Sequence, residues 1–211
     1  MNLGMKRKII LFGGSFDPIH NGHTIVARFA INYIGADGLV FVPAQRSPHK
    51  RVWPEANAAD RLSMIELAIG DEKAMCVSDC ELKRDPPSYT IDTVRYFRDQ
   101  YGPEAELYWL VGADVLKDLP RWYRIKDLLD ECNLCLMLRP GFDKFQLNEF
   151  INVFGQVRVN NLKQNIIPNP LIDISSTEIR QRILTGGDVP EMVHPAVLEY
   201  IRKHGLYAKA F

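Results

Sequence analysis

Residues Leu11–His23 read LFGGSFDPIHNGH, and these residue types at this spacing suit phosphate chemistry. A short apolar run ends in Gly13 and Gly14, and His20 and His23 follow, three residues apart. Glycine has no Cβ, so a ligand can approach its backbone closely. The loop feeds a helix expected to start near Asn21–Thr24. A helix N-terminus offers unpaired N–H groups and partial positive charge, which favour phosphate. At i, i+3 both imidazoles can lie on one helical face, where two ring N–H donors would grip one phosphoryl group from one side. The stretch matches neither G-x-x-x-x-G-K-[ST] nor G-x-G-x-x-G. Two other readings stand beside this one. Asp17, His20 and His23 have a D-x-x-H-x-x-H spacing that could bind a metal in a hydrolase, although no further ligand is identifiable. Alternatively, Asp17-Pro18 is a turn and the histidines are capping groups. Two histidines and three glycines within eleven residues favour the phosphate reading.

Such a loop needs a strand before it and a helix after it, and the pattern repeats along the chain. Apolar runs at Lys8–Phe12, Gly38–Pro43, Ala74–Asp79, Glu106–Gly112 and Asn133–Pro140 lack alternation, as strands buried on both faces do. Between them Thr24–Ile34, Asp60–Ile69 and Thr90–Tyr101 carry apolar residues near a 3.6 period. Strand–helix alternation predicts right-handed βαβ units in an α/β, doubly wound parallel sheet. Ligands in such sheets bind at the carboxyl ends of the strands, where the Gly-Gly stretch would lie. In Gln146–Ile167, FQLNEFINVF reads as a helix and NNLKQNIIPNP as a loop ending in a short strand. Helices are expected from SSTEIR and over His194–Gly205, with Pro195 near the start and Gly205 as the stop. The chain reads as one domain, residues 1–211, with an α/β core over 1–174 and a small helical C-terminal part over 175–211.

The 211 residues are 46% apolar and 25% charged, ordinary for a soluble globular protein. Lys+Arg and Asp+Glu are both 26, and no basic stripe points to nucleic acid. No apolar run reaches the ~20 residues that span a bilayer. The basic, then apolar start reads as a first strand rather than a leader, so the expected location is cytoplasmic. Cys76, Cys80, Cys132 and Cys135 include one C-x-x-C and read as thiols packed in or beside strands. Scattered apolar residues such as Trp53 and Phe154 define no interface, which leaves a homo-oligomer open.

His20-Asn21-Gly22-His23 resembles the H-x-G-H signature of the nucleotidyltransferase superfamily, and the whole GGSFDPIHNGH is similar to bacterial nicotinate-nucleotide adenylyltransferases. ISSTEIR (Ile174–Arg180) resembles the second superfamily signature, and the likeness covers nearly the whole chain. Taken by itself, SSTEIR is a capping box, Ser175 with Glu178 three residues on. A helix N-terminus with hydroxyls and an Arg is also a cradle for phosphates. The resemblance implies a Rossmann-like sheet and an ATP site at Gly13, Gly14, Ser15, Phe16, Gly112, Asp114, Ser175 and Ser176. SPHK (Ser47–Lys50) resembles the loop whose basic residue serves the phosphates, which adds Lys50 and Arg180 to His20 and His23 as catalytic groups. PSYTIDT (Pro87–Thr93) resembles the segment lining the pyridine-nucleotide pocket, and RWY (Arg121–Tyr123) a W-Y pair whose aromatic stacks on the pyridine. Ser88, Tyr89, Thr90, Trp122, Tyr123 and Arg139 are therefore the implied mononucleotide-binding residues. Without the resemblance Trp122 reads as core, and Ser88 or Thr90 as a helix cap. One departure stands out: Ala44-Gln45 follows Pro43 where the family often has Asn.

The implied reaction is adenylyl transfer from ATP, with Mg²⁺, to nicotinate mononucleotide. The alternatives are nicotinamide mononucleotide or phosphopantetheine as acceptor, a metal-dependent phosphohydrolase, and a nucleotide sensor without turnover.

Overall fold

The central strands are continuous apolar runs because both of their faces are buried. The computed structural model describes residues 6–46, 53–139 and 146–208. In chain order the elements are β1 (Lys8–Gly14), α1 (Asn21–Ile34), β2 (Gly38–Pro43), α2 (Ala58–Ile69), β3 (Met75–Val77), α3 (Thr90–Tyr101) and β4 (Glu106–Gly112). Then come α4 (Ile125–Glu131), β5 (Asn133–Met137), α5 (Ile151–Phe154), α6 (Gln156–Gln164), β6 (Ile166–Ile167), α7 (Ser176–Leu184) and α8 (Pro195–Lys203). The strands form one parallel sheet in the order β3-β2-β1-β4-β5-β6. The order reverses between β1 and β4, and the crevice outside the carboxyl ends of strands at such a point is where doubly wound sheets bind ligands. β1 ends there at Gly14 and β4 at Gly112.

Alternate residues of each strand feed two cores. Ile10, Phe12, Leu39, Phe41, Leu110 and Cys135 join one, under α1, α2, α7 and α8. Ile9, Leu11, Val40, Val42, Trp109 and Leu134 join the other, under α3, α4 and α6. The C-terminal helices thus share a core with the first βαβ unit, through Ile179, Val197, Leu198 and Ile201. Helix ends follow local chemistry. Gly35, at φ 66°, stops α1 in the left-handed conformation that glycine favours. The side chain of Asn57 caps α2 by accepting from the Asp60 N–H at 2.9 Å, and Pro195 opens α8.

Several expectations change. Residues 160–164, expected as loop, are helical, and the strand after them is only Ile166–Ile167, pairing with β5. Of FQLNEFINVF, Leu147–Phe150 form a 3₁₀ turn and Ile151–Phe154 the short α5. Phe154 and Phe150 stack, and Phe154 is buried in the second core rather than scattered on the surface. Tyr89 occupies the N-cap of α3 without a side-chain bond, so neither Ser88 nor Thr90 caps it. Cys132 and Cys135 are buried as expected, whereas Cys76 is exposed on the edge strand β3. Among the described residues, no helix is long and apolar enough to cross a membrane.

Candidate active site

The loop from β1 to α1 is braced on all sides. Phe16 takes a φ of 46°, rarely adopted by a bulky residue. Its ring packs edge-on against Phe12, Phe41 and His23, with centroids 5.5, 5.5 and 5.0 Å away. This packing changes the reason for the glycines. A Cβ on Gly13 would overlap the Trp109 indole, and one on Gly14 would come within 2.9 Å of the Phe16 ring. On the Cβ side, both glycines therefore face aromatic rings.

Asp17 faces away from metal chemistry. Its carboxylate accepts from the backbone N–H groups of Glu55 (2.8 Å) and Ala56 (3.0 Å) and from the Tyr207 hydroxyl (2.8 Å). The D-x-x-H-x-x-H metal reading therefore loses its carboxylate. Among the described residues, no group of three or more His, Cys, Asp or Glu is placed to hold a metal ion.

His20 is the N-cap of α1 and His23 its third residue. Their rings stack with centroids 3.7 Å apart and planes 27° from parallel. The His20 backbone N–H donates to His23 Nδ1 at 3.2 Å, so the hydrogen-bond network places the proton of a neutral His23 ring on Nε2. His20 is buried, and its Nδ1 finds no partner. Burial, with the positive charge of Arg139 second, pushes its pKa down to about 3, so the ring is neutral at neutral pH and carries one N–H. Gly22 makes the stack possible, because a Cβ there would lie 3.0 Å from His20 Nδ1 and 3.3 Å from Ile172.

His20, His23 and Arg139 line one small cavity of about 40 Å³, closed by Phe12, Asn169 and Ile174. A larger cavity, about 410 Å³, lies between α7 and α8 and is mostly apolar, without the histidines. The small one, at the sheet's reversal point, holds the polar convergence a site requires. Arg139 also pairs with Asp114, Nε to Oδ1 at 3.3 Å, both side chains being about half exposed. A Cβ on Gly112 would overlap both partners, so this glycine lets the pair close over the end of β4.

The start of α7 docks on the same loop. Ser175 Oγ accepts the Glu178 N–H at 3.1 Å, the forward half of the expected capping box. The return half is absent, because the Glu178 carboxylate bonds Arg182. Ser176 Oγ donates to the Pro18 carbonyl at 2.9 Å. Arg180 donates to the Asp17 carbonyl at 2.8 Å and to Glu55 at 2.7 Å. These side chains are therefore already engaged with the loop that presents His20.

Of the expected mononucleotide residues, Arg139 lines the histidine cavity, and Tyr89 and Tyr123 come together apart from it. Tyr89 and Tyr123 lie ring to ring at 4.5 Å, and Tyr123 is exposed. Trp122, expected to stack on a pyridine, packs in the second core, so Tyr123 is the exposed aromatic of the pair. Ser88 is buried with its side chain beside the Glu81 carboxylate, and its N–H reaches the Arg46 carbonyl at 3.5 Å. Thr90 is the first residue of α3. Lys50 lies outside the described residues, as does the rest of Ser47–Lys50. At the departure from the family pattern, Ala44 joins the loop framework by donating to the Gly14 carbonyl at 2.9 Å. Gln45 keeps a buried Oε1 with no partner.

Sequence reasoning missed three organising residues. Arg61, buried in α2, donates through Nη1 to the carbonyls of Ser15 (2.7 Å) and Ala44 (2.8 Å), clamping the loops after β1 and β2 together. Burial lowers its pKa, and the negative charge of Asp17 opposes that shift. Asn169, between two prolines, accepts from the Leu138 N–H (2.7 Å) and donates to the Leu138 carbonyl (3.1 Å), which fixes the backbone beside Arg139. Tyr207 is the third. Arg61 alone left a signal: it shares the inward stripe of α2 with Met64, Ile65 and Ala68.

The cytidylyltransferase-like family matches residues 11–182. A "Probable nicotinate-nucleotide adenylyltransferase" of Neisseria meningitidis is 41% identical over 203 residues, 96% of this chain and all of that one. One from a Synechococcus species is 37% identical over 203 residues, 96% of this chain and 95% of its own. The Plasmodium falciparum nicotinic acid mononucleotide adenylyltransferase complexed with NaAD superposes with a TM-score of 0.77 at 21% identity, over 95% of this chain and 97% of that one. The chain belongs to the cytidylyltransferase-like family and, within it, to the nicotinate-nucleotide adenylyltransferases.

Proposed function

We propose that this chain transfers the adenylyl group of ATP to nicotinate mononucleotide, giving nicotinate adenine dinucleotide and pyrophosphate in NAD biosynthesis. The observation that carries the chemistry is the stacked His20–His23 pair at the head of α1, sharing a cavity with Arg139. A 5′-phosphate oxygen of the mononucleotide attacks the α-phosphorus of ATP in line. The bond from that phosphorus to the bridging oxygen breaks, and pyrophosphate leaves with the electron pair. The nucleophile is a phosphate monoester, already ionised at neutral pH (second pKa about 6), so the step needs no protein base. A neutral His20 fits this role, since it holds a donor on the α-phosphate without exchanging a proton. His23 Nε2–H is the second donor, and the α1 N-terminus adds its partial charge.

The other roles are assigned as follows. Gly13, Gly14, Ser15, Phe16, Gly112 and Asp114 shape the ATP side, and Ser175, Ser176, Arg180 and Lys50 serve the triphosphate. Ser88, Tyr89, Thr90, Tyr123 and Arg139 serve the mononucleotide, while Trp122 stays in the second core, with Gln45 as the residue standing in for the family's Asn. Mg²⁺ enters with ATP. It needs few protein ligands when it binds phosphate oxygens and waters, which agrees with a donor set in which Asp17 is committed to backbone N–H groups. When bound, it neutralises phosphate charge. We place the activity in the cytoplasm, where the four free cysteines stay reduced.

The test is pyrophosphate release from ATP and Mg²⁺ with nicotinate mononucleotide, nicotinamide mononucleotide and phosphopantetheine, each offered alone. Strong preference for the first is expected. Preference for another acceptor overturns the substrate assignment and keeps the chemistry. ATP binding without release for any acceptor overturns the transferase reading.

A further inference from the structure

We propose that Tyr207, in the turn after α8, is a positioning residue for the histidine loop, so that the active site is complete only when this turn is docked on Asp17. The proposal rests on the adenylyl-transfer reading.

The path is short and every link is polar. Gly205, at φ 61°, ends α8, and the Leu206 N–H returns to the Ile201 carbonyl at 3.0 Å. This reversal drives Tyr207 inward, where it is 9% exposed. Its hydroxyl donates to Asp17 Oδ1 at 2.8 Å, across 190 residues of sequence. The same carboxylate accepts from Glu55 and Ala56, and Arg180 holds the Asp17 carbonyl and Glu55. Ser176 holds the next carbonyl, that of Pro18, two residues before His20. Arg61 holds the carbonyl of Ser15 at the other end of the loop. Asp17 is therefore the hub on which the β1–α1 loop, the segment before α2, the start of α7 and the turn after α8 converge.

Backbone conformation supports the same conclusion. Tyr207 has a φ of 62° and Phe16 one of 46°. Non-glycine residues hold such angles only where the surroundings over-determine them, and such positions cluster at functional sites. These two flank one carboxylate. An uncharged phenol at this point keeps its proton, because burial and the Asp17 charge both raise its pKa. It is thus a permanent donor to Asp17.

A second tyrosine, on α8 itself, provides the control. Tyr200 in α8 donates to Asp60 Oδ1 of α2 at 3.0 Å, a tie of the same chemistry that does not involve the histidine loop. The experiment compares Tyr207→Phe, Tyr200→Phe, Asp17→Asn and the Asp17→Asn/Tyr207→Phe double variant in the full chain. Steady-state kinetics are run well below the melting transition, alongside amide hydrogen exchange at Glu55 and Ala56. For Tyr207→Phe, kcat is expected to fall about tenfold with KM for both substrates within about twofold, the pattern of a group acting on the transition state only. Exchange at Glu55 and Ala56 speeds up, because their acceptor is loosened. Tyr200→Phe leaves kcat unchanged. In the Asp17→Asn background Tyr207→Phe adds little, the non-additivity of one connected network. The proposal is overturned if Tyr207→Phe keeps wild-type kcat, if its exchange at Glu55 and Ala56 is unaltered, or if Tyr200→Phe lowers kcat equally. If the wild-type chain itself transfers no adenylyl group, the activity reading fails, and the exchange measurements still decide whether Tyr207 orders the loop.

Discussion

His20 should make the protein lose stability on acidification in a way that a single substitution removes. Its pKa in the folded chain is about 3, against 6.5 for a free imidazole, because the ring is buried and Arg139 is near. Between pH 6.5 and 3 the unfolded chain binds a proton at this position and the folded chain does not. Stability then rises with pH across that window, by about 1.4 kcal/mol per unit. The contribution is complete above pH 6.5 and declines as the pH falls. At pH 5 the loss is 1.5 units, or about 2 kcal/mol, a sizeable share of the ~5–15 kcal/mol of a typical domain. The assay is urea unfolding at pH 7.5 and 5.0 for the wild type and for His20→Asn, which carries no titrating group there. Other titrating groups cancel in the difference between the two proteins. The wild type should lose about 2 kcal/mol more than the variant over this interval. Equal losses would show that His20 titrates normally and would refute the burial-driven shift.

Three further outcomes follow from the same geometry. His23→Ala should cut turnover by about 10²–10³, the cost of one donor to a developing oxyanion, while far-ultraviolet circular dichroism and melting stay near wild type; near-normal turnover would reject the assignment. Arg61→Met should destabilise the chain by about 2–4 kcal/mol in urea, since it leaves the Ser15 and Ala44 carbonyls without their charged donor; a loss below about 0.5 kcal/mol would mean that water replaces the clamp. Gly13→Ala should cost about 1–3 kcal/mol through overlap with Trp109, and Trp109→Leu should cost less in the Gly13→Ala background than alone; strict additivity would deny that the two meet.

The sheet was legible because each central strand is an apolar run with both faces buried, and the helices because their apolar residues recur at turn spacing. The edges were less so. β3 keeps only three residues, and β6 two, and each lies at an edge of the sheet. The helix over Gln156–Gln164 was hard to read because Asn160, Asn161 and Asn165 resemble loop chemistry, yet Val159 and Leu162 anchor it in the second core. The glycines answer to a packing requirement that spacing does not show. A glycine admits whatever lies next to it, and for Gly13 and Gly14 that is an indole and a phenyl ring, which sequence spacing does not reveal.

What stayed hidden was the framework that holds the histidines, and the reason is distance along the chain. Arg180 to Asp17 spans 163 residues, Ser176 to Pro18 158 and Tyr207 to Asp17 190. Several of these bonds end on backbone carbonyls, which every residue possesses, so no residue type marks the acceptor. A motif records the donor and leaves its target unwritten. Arg180 and Ser176 illustrate the consequence. Their positions in a phosphate-binding signature are legible, yet in the structure both hold the loop that carries His20. One group of atoms can do both, because a guanidinium has five N–H donors and the two bonds to Asp17 and Glu55 use part of them. The signal that was available is the charged residue in an apolar stripe, as at Arg61. Burying a guanidinium is costly unless it is paired, so such a residue must have fixed acceptors. Here they are the carbonyls of the two loops that frame the crevice.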